Sequence, residues 1–96
     1  MKTYTQSSAS EKLSVLNGWS FSGNQLEKKF TFKDFRQAMS TMVRISYLCE
    51  ELNHHPDWTN VYNKLTVRLS THDAGGVTDK DFELAGRIEK VLSSQG

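Results

Sequence analysis

Residues 56–71 read PDWTNVYNKLTVRLST, and the period of this stretch decides the fold class. Leu65, Val67 and Leu69 alternate with Thr66, Arg68 and Ser70. A period of two marks a strand with one face buried and the other in water. Residues 58–62 read as a second strand and 64–71 as its partner, with a tight turn near Asn63. If the turn is centred on Asn63, residues equidistant from it face each other. Arg68 then faces Trp58, and His72 comes opposite position 54. On that register Ser70, Arg68, Trp58 and His72 share one face, opposite Leu65, Val67 and Leu69. A slip of one residue would reverse the sharing, because side chains alternate along a strand.

Upstream, the period changes. Pro56 bars a helix and pushes His55 toward extended geometry. Between Lys33 and Leu52 there is no Pro or Gly, which predicts one helix about 30 Å long. Phe35, Ala38, Met39, Met42, Val43 and Ser46 make one stripe on it, and Ile45, Leu48 and Leu52 a second. Two apolar sides exceed what one small sheet covers, so the second stripe suggests self-association, the alternative being that it is the flank of one broad core face. Before this helix, residues 19–32 (WSFSGNQLEKKFTF) read as a hairpin turning at Gly23-Asn24. Residues 8–11 (SASE) resemble a capping box for a short helix that Asn17-Gly18 ends. Residues 1–7 show no periodicity and are expected to fray. Downstream, Asp73 to Gly76 is a loop, and Thr78 with Asp81 starts a last helix. Phe82, Ala85, Ile88 and Leu92 line that helix before a polar SSQG tail.

The order is α-β-β-α-β-β-α over a single domain, residues 1–96. Two hairpins joined edge to edge make an α+β fold, a four-stranded antiparallel sheet with three helices packed on one face. Composition agrees and excludes several classes. Hydrophobic residues are 36% of the 96, enough for one compact core. Twelve basic against eleven acidic residues give a formal charge of +1, which argues against a nucleic-acid partner bound through its phosphates. One cysteine cannot form an internal disulfide. No apolar run is long enough to cross a membrane, and the polar start lacks the apolar stretch of a signal peptide, so a cytoplasmic location is expected.

The chemistry points to the three histidines, His54, His55 and His72, with Glu50 one helical turn before the pair. Imidazole titrates near neutrality, so one cluster can hold a protonated and a neutral ring together. Such a pair gives a proton at one place and takes one at another. The bland alternative is that His54 or His55 only caps the end of the long helix, where its dipole favours a cation. A zinc site is the other alternative, but adjacent histidines send their side chains in different directions, so no metal ligand is assigned. Cys49 lacks an activating neighbour and reads as a helix residue. Asp81 alone reads as a helix-start acid.

Taken together, EELNHHPDW (residues 50–58), NVYNKL (60–65) and LSTHDAGGVTDKDFELA (69–85) resemble the pterin-4a-carbinolamine dehydratase family. The motif is an acid, then His-His-Pro, an aromatic, a later His and a later Asp. Here these are Glu50, His54-His55-Pro56, Tyr62, His72 and Asp81. Gly18-Trp19 and residues 30–35 (FTFKDF) also look like family positions, so the resemblance covers nearly the whole chain. It departs at two places, where Asn53 and Lys80 replace the Asp and Arg of some members. Lys80 cannot make the bidentate contact an Arg makes.

The resemblance implies dehydration of 4a-hydroxytetrahydropterin to quinonoid dihydropterin, recycling the cofactor of aromatic amino acid hydroxylases. It implies a homodimer or homotetramer and no metal or organic cofactor. Protonated His54 or His72 would donate to the leaving hydroxyl, His55 would bind the pterin, and Glu50 would orient one imidazole. Pro56, Thr71, His72, Asp73 and Ala74 would contact the ring, Trp58 would supply an apolar wall, and Asp81 would complete the binding set. Some relatives also serve as dimerisation partners of a transcription factor, a role that would use the apolar face of the long helix.

Overall fold

In the computed structural model, which describes residues 2–93, the elements follow the expected order. They are α1 (Gln6–Leu13), β1 (Ser20–Ser22), β2 (Gln25–Thr31), α2 (Phe35–Leu52), β3 (Asp57–Val61), β4 (Lys64–Leu69) and α3 (Asp79–Ser93), with a 3-10 turn at His72–Ala74. The sheet is antiparallel throughout, in the order β1-β2-β4-β3. β2 and β4 join the two hairpins, running from Leu26 opposite Leu69 to Thr31 opposite Lys64. Directly paired residues project to the same side. Leu26 and Phe30 therefore share a face with Leu65, Val67 and Leu69, and all five are buried in one core cluster with the helices. Glu27, Thr66 and Arg68 occupy the other face, where the Arg68 guanidinium meets Glu27 at 3.1 Å.

The turns are built as local chemistry requires. Gly23 and Asn24 both take positive φ, +59° and +61°, which lets a two-residue loop follow the strand twist. The second hairpin departs from the expected register. Two residues, Tyr62 and Asn63, lie between the paired Val61 and Lys64, so the turn has no residue at its centre. Tyr62 takes φ +52°, and the Asn60 amide donates to the carbonyls of Tyr62 and Lys64. Asn63 is tied to the end of β2, donating from its amide to the Phe32 carbonyl at 2.9 Å. Arg68 consequently faces Asp57, and Trp58 faces Val67 on the helix-covered side. His72 does not extend β4; the strand ends at Leu69 and His72 sits in the 3-10 turn.

The helices also shift. α1 starts at Gln6, capped by Thr5 rather than by the serines. The Thr5 hydroxyl accepts the Ser8 N–H, and the Ser8 hydroxyl accepts the Thr5 N–H. Residues of the expected frayed arm make contacts here. Tyr4 donates its N–H to the Val77 carbonyl at 2.8 Å, stacks edge-on against Phe82 and bonds Asp79 through its hydroxyl. Met1 and the last three residues of the tail lie outside the described residues.

α2 starts at Phe35 behind Asp34, whose side chain accepts the Gln37 N–H at 2.8 Å. Its buried face is Ala38, Thr41, Ile45 and Cys49, with Met42, Leu48 and Leu52 packed beside it. Ile45 and Leu48 thus belong to the core, so the second stripe is the flank of one broad core face, and its reading as a self-association surface is corrected. Of its large apolar side chains, Phe35, Val43 and Tyr47 are exposed, at 45%, 53% and 72%. The sheet does not reach them, because Ile45 and Cys49 already take the inward direction.

These faces predict opposite responses to truncation. Ile45→Ala is expected to cost about 2–5 kcal/mol of unfolding free energy, the usual range for a fully buried aliphatic. Tyr47→Ala should stay within about 0.5 kcal/mol. Urea denaturation of the two variants checks the assignment, and a large loss only in Tyr47→Ala would reverse it.

Candidate functional site

The site begins where α2 stops. Asn53 takes the left-handed conformation, φ +51° and ψ +45°, and its N–H reaches the Glu50 carbonyl. The His54 N–H closes back on the Cys49 carbonyl at 2.9 Å. This is the hydrogen-bond pattern of a left-handed helix stop, where Asn is the best substitute for Gly. The reversal turns His54 inward, to 9% exposure, and leaves His55 exposed.

The start of α3 supplies the partner. The Thr78 N–H donates to Asp81 Oδ2 at 2.8 Å, and the Thr78 hydroxyl accepts the Lys80 N–H at 3.3 Å, a reciprocal cap. Asp81 has no exposed surface. Its Oδ2 also accepts from the Thr71 hydroxyl at 2.9 Å, and its Oδ1 lies 2.5 Å from His54 Nε2. A buried carboxylate is tolerated only when its oxygens are bonded, and here both are. The cap of one helix and the end of another are thereby tied through a single side chain.

Above this pair lies a polar hollow of about 300 Å3. The end of α2 gives it Asn53, His54 and His55; the segment after β4 gives Ser70, Thr71, His72 and Asp73; α3 gives Lys80. The His72 ring is exposed and makes no hydrogen bond among the described residues. On the far side of His55 lies a more apolar hollow of about 290 Å3, lined by Ser46, Tyr47, Cys49, Glu50, His55, Pro56 and Trp58. Glu50 Oε2 holds His55 Nε2 at 2.6 Å between the two. Among the described residues no group of three or more His, Cys, Asp or Glu side chains is arranged to hold a metal ion.

The structure therefore gathers most of the expected set and divides the rest. His54, His55, Thr71, His72 and Asp73 line the polar hollow, and Glu50 reaches it through His55. Pro56 and Trp58 line the neighbouring hollow, because the two-residue turn puts Trp58 on the helix-covered face. Ala74, half-buried in the 3-10 turn, lines neither. Asp81 lies beneath the surface, with its oxygens taken by His54, Thr71 and Thr78. The sequence reading missed its bond to His54 and missed Asn53 as the hinge. An Asn at the end of a helix stripe, just before the histidines, was the available signal for the hinge. Nothing in the spacing marks a bond between residues 27 apart.

Cys49 lines the apolar hollow but does not supply a nucleophile. Burial pushes its thiol up to about 11, and the nearby charge of Glu50 adds to the effect. No helix among the described residues is long and apolar enough to cross a membrane.

Comparison with known proteins gives a consistent result. The sequence profile described as pterin 4 alpha carbinolamine dehydratase matches residues 2–91. A protein of Opitutus terrae, provisionally named a pterin-4-alpha-carbinolamine dehydratase, is 54% identical over 91% of each chain. One of Sulfurisphaera tokodaii, with the same provisional name, is 44% identical over 97% of this chain and all of its own. The crystal structure of a Brucella melitensis protein, described as transcriptional coactivator/pterin dehydratase, superposes with a TM-score of 0.89. It shares 35% identity over 94% of this chain and 98% of that one. A pterin dehydratase-like protein identified as a RuBisCO assembly factor in the alpha-carboxysome has a TM-score of 0.67 at 20% identity, over 78% of this chain and 89% of that one, a likeness of fold alone.

The state of Cys49 is directly testable. With its pKa pushed up to about 11, its alkylation by iodoacetamide at pH 8 should run at least about tenfold slower than that of an unfolded control. Because the folded chain holds the proton above the ordinary thiol value of 9.0, the thiol's contribution to stability is lost as pH rises from there to about 11. Alkylation at the rate of the unfolded control would refute the buried, neutral thiol.

Proposed function

The chain belongs to the pterin 4 alpha carbinolamine dehydratase family, and from that premise we propose that it dehydrates a 4a-hydroxytetrahydropterin to the quinonoid dihydropterin. The observation that carries the reading is the pairing of two unlike histidines across one polar hollow. His54 is buried and backed by the Asp81 carboxylate, while His72 is exposed and unbonded among the described residues. One ring is held by a carboxylate and the other is free to meet the substrate, which provides two imidazoles for the acid and base steps of a dehydration.

The substrate carries a hydroxyl on C4a beside N5–H. The N5 lone pair forms the C4a=N5 bond as the C4a–O bond breaks, and an acid gives its proton to the departing oxygen. His54 serves as that acid, because the carboxylate behind it offsets the charge of the doubly protonated ring. The cationic product then loses its N5 proton to His72, leaving water and the neutral quinonoid pterin. His55, held by Glu50, flanks the ring, with Asp73 and the rim of the hollow on the other side. The nitrogen supplies most of the push, so positioned acid–base groups contributing about 10²- to 10⁴-fold suffice. The substrate is the product of aromatic amino acid hydroxylases, which makes cofactor recycling in the cytoplasm the physiological setting of this reading.

A second property rests on α2. Phe35, Val43 and Tyr47 form an exposed apolar stripe that the sheet leaves uncovered. It supports assembly into a homodimer or homotetramer, or docking of another protein, in keeping with the coactivator description of the Brucella structure. This face and the polar hollow share no residue, and Tyr47 alone also lines the neighbouring apolar hollow, so both roles fit one chain.

Stopped-flow decay of the carbinolamine tests the reaction. Wild type should exceed the spontaneous rate, and His72→Ala and His54→Gln, folded by circular dichroism, should each lose about 10²-fold or more of the acceleration. A folded wild type with no acceleration overturns the reading; an unchanged rate in either variant removes that histidine from it. Val43→Asp is expected to lower the mass seen by sedimentation while leaving the rate per chain intact. An unchanged mass would show that this stripe does not hold the assembly.

A further inference from the structure

The resemblance puts Thr71 among residues that touch the ring, but its side chain has another task. Thr71 is 5% exposed, and its hydroxyl lies 2.6 Å from Thr78 Oγ1 as well as 2.9 Å from Asp81 Oδ2. A hydroxyl has one proton to give. The Asp81 carboxylate can only accept, so the Thr71 proton goes to Oδ2. The Thr78 proton then goes to Thr71 Oγ1, while Thr78 Oγ1 accepts the Lys80 N–H. Oδ2 thus accepts two hydrogen bonds, from Thr71 and from the Thr78 N–H. Oδ1 is left facing His54 Nε2, and an acceptor there keeps the proton on Nε2. Among the described residues no buried side-chain nitrogen lacks a partner, and none bonds His54 Nδ1, so Nδ1 is open to the hollow.

We propose that Thr71 is a positioning residue. Oriented by Thr78 and acting through Asp81, it keeps one His54 proton on Nε2, so that Nδ1 is the atom that meets the substrate; the doubly protonated ring gives its Nδ1 proton to the leaving oxygen and becomes the neutral Nε2–H ring. The inference rests on the reading of His54 as the proton donor and names the atom and the support behind it. The titratable and charged groups around His54 are Asp81 and Lys80 from α3, His72 and Asp73 after β4, the adjacent His55, and Glu50 of α2 behind His55. Of these, Asp81 alone is bonded to Thr71. Without the Thr71 donor, Asp81 loses one of the bonds that fix its oxygens, and the His54 ring it holds is free to turn Nδ1 away from the substrate.

Nitrogen-15 spectra of the full chain, labelled at histidine and titrated through the neutral range, test this together with steady-state kinetics. In wild type, neutral His54 should show a bare Nδ1 and a protonated Nε2. T71V should mix the Nδ1–H and Nε2–H forms of neutral His54 and lower kcat about tenfold with KM within about twofold, a loss of positioning rather than of binding. T71S should restore both. A wild-type His54 protonated on Nδ1 overturns the proposal. So does a T71V that raises KM with kcat and the His54 tautomer unchanged, which would make Thr71 a ring contact. If T71V does not fold, T71A replaces it in the same comparison. The spectra need no turnover, so a chain that failed to dehydrate the carbinolamine would refute the proposed function while the tautomer was still decided.

Discussion

One buried contact, Asp81 to His54, holds the functional end of this molecule together. It spans the last turn of one helix and the first turn of another, with Thr71 of the strand exit bonded to the same carboxylate. A carboxylate stripped of water is costly unless its oxygens are satisfied. Asp81 meets that condition by collecting one donor from each of two other segments, with a third from the cap of its own helix. The demand of one charged group therefore fixes where α2, the segment after β4 and α3 meet. The hollow is the space left above that junction.

The arrangement also explains why a helix stop and a helix start form the site. A left-handed Asn53 ends α2 before Pro56 would, and it sends consecutive residues to opposite duties. His54 goes down to the carboxylate, and His55 stays up between two hollows of similar size and unlike character. The three histidines thereby occupy unlike surroundings, one buried and bonded, one exposed and bonded, one exposed without a bond among the described residues.

Much of this was legible in the chain, and the parts that were not share a cause. Alternation at Leu65, Val67 and Leu69 gave β4 its face, and the run without Pro or Gly gave α2. The strand register did not follow, because a turn near Asn63 reads alike with one residue or two, and parity alone decides where Trp58 points. The faces of α2 did not follow either, since Ile45 and Val43 are equally apolar and only the packed sheet chooses between them. The motif put Glu50, the histidines and Asp81 into one functional group through resemblance. It did not say that Asp81 would lie wholly beneath the surface, because burial depends on Thr71 and Thr78 arriving from elsewhere. The 20% identical carboxysome protein is a reminder that this fold has been put to other uses, so the argument for chemistry rests on the hollow and not on the sheet.

The span of the His54–Asp81 contact has a consequence for the order in which the protein can be made. During synthesis the sheet and α2 leave the ribosome with His54 in place but with its partner carboxylate still to come. No shorter product that stops before α3 can bury His54 correctly or close the hollow. The arrangement at the hollow is therefore a late event in biogenesis, created by docking of α3. A nascent chain paused ahead of that helix would carry every histidine of the motif and none of its chemistry.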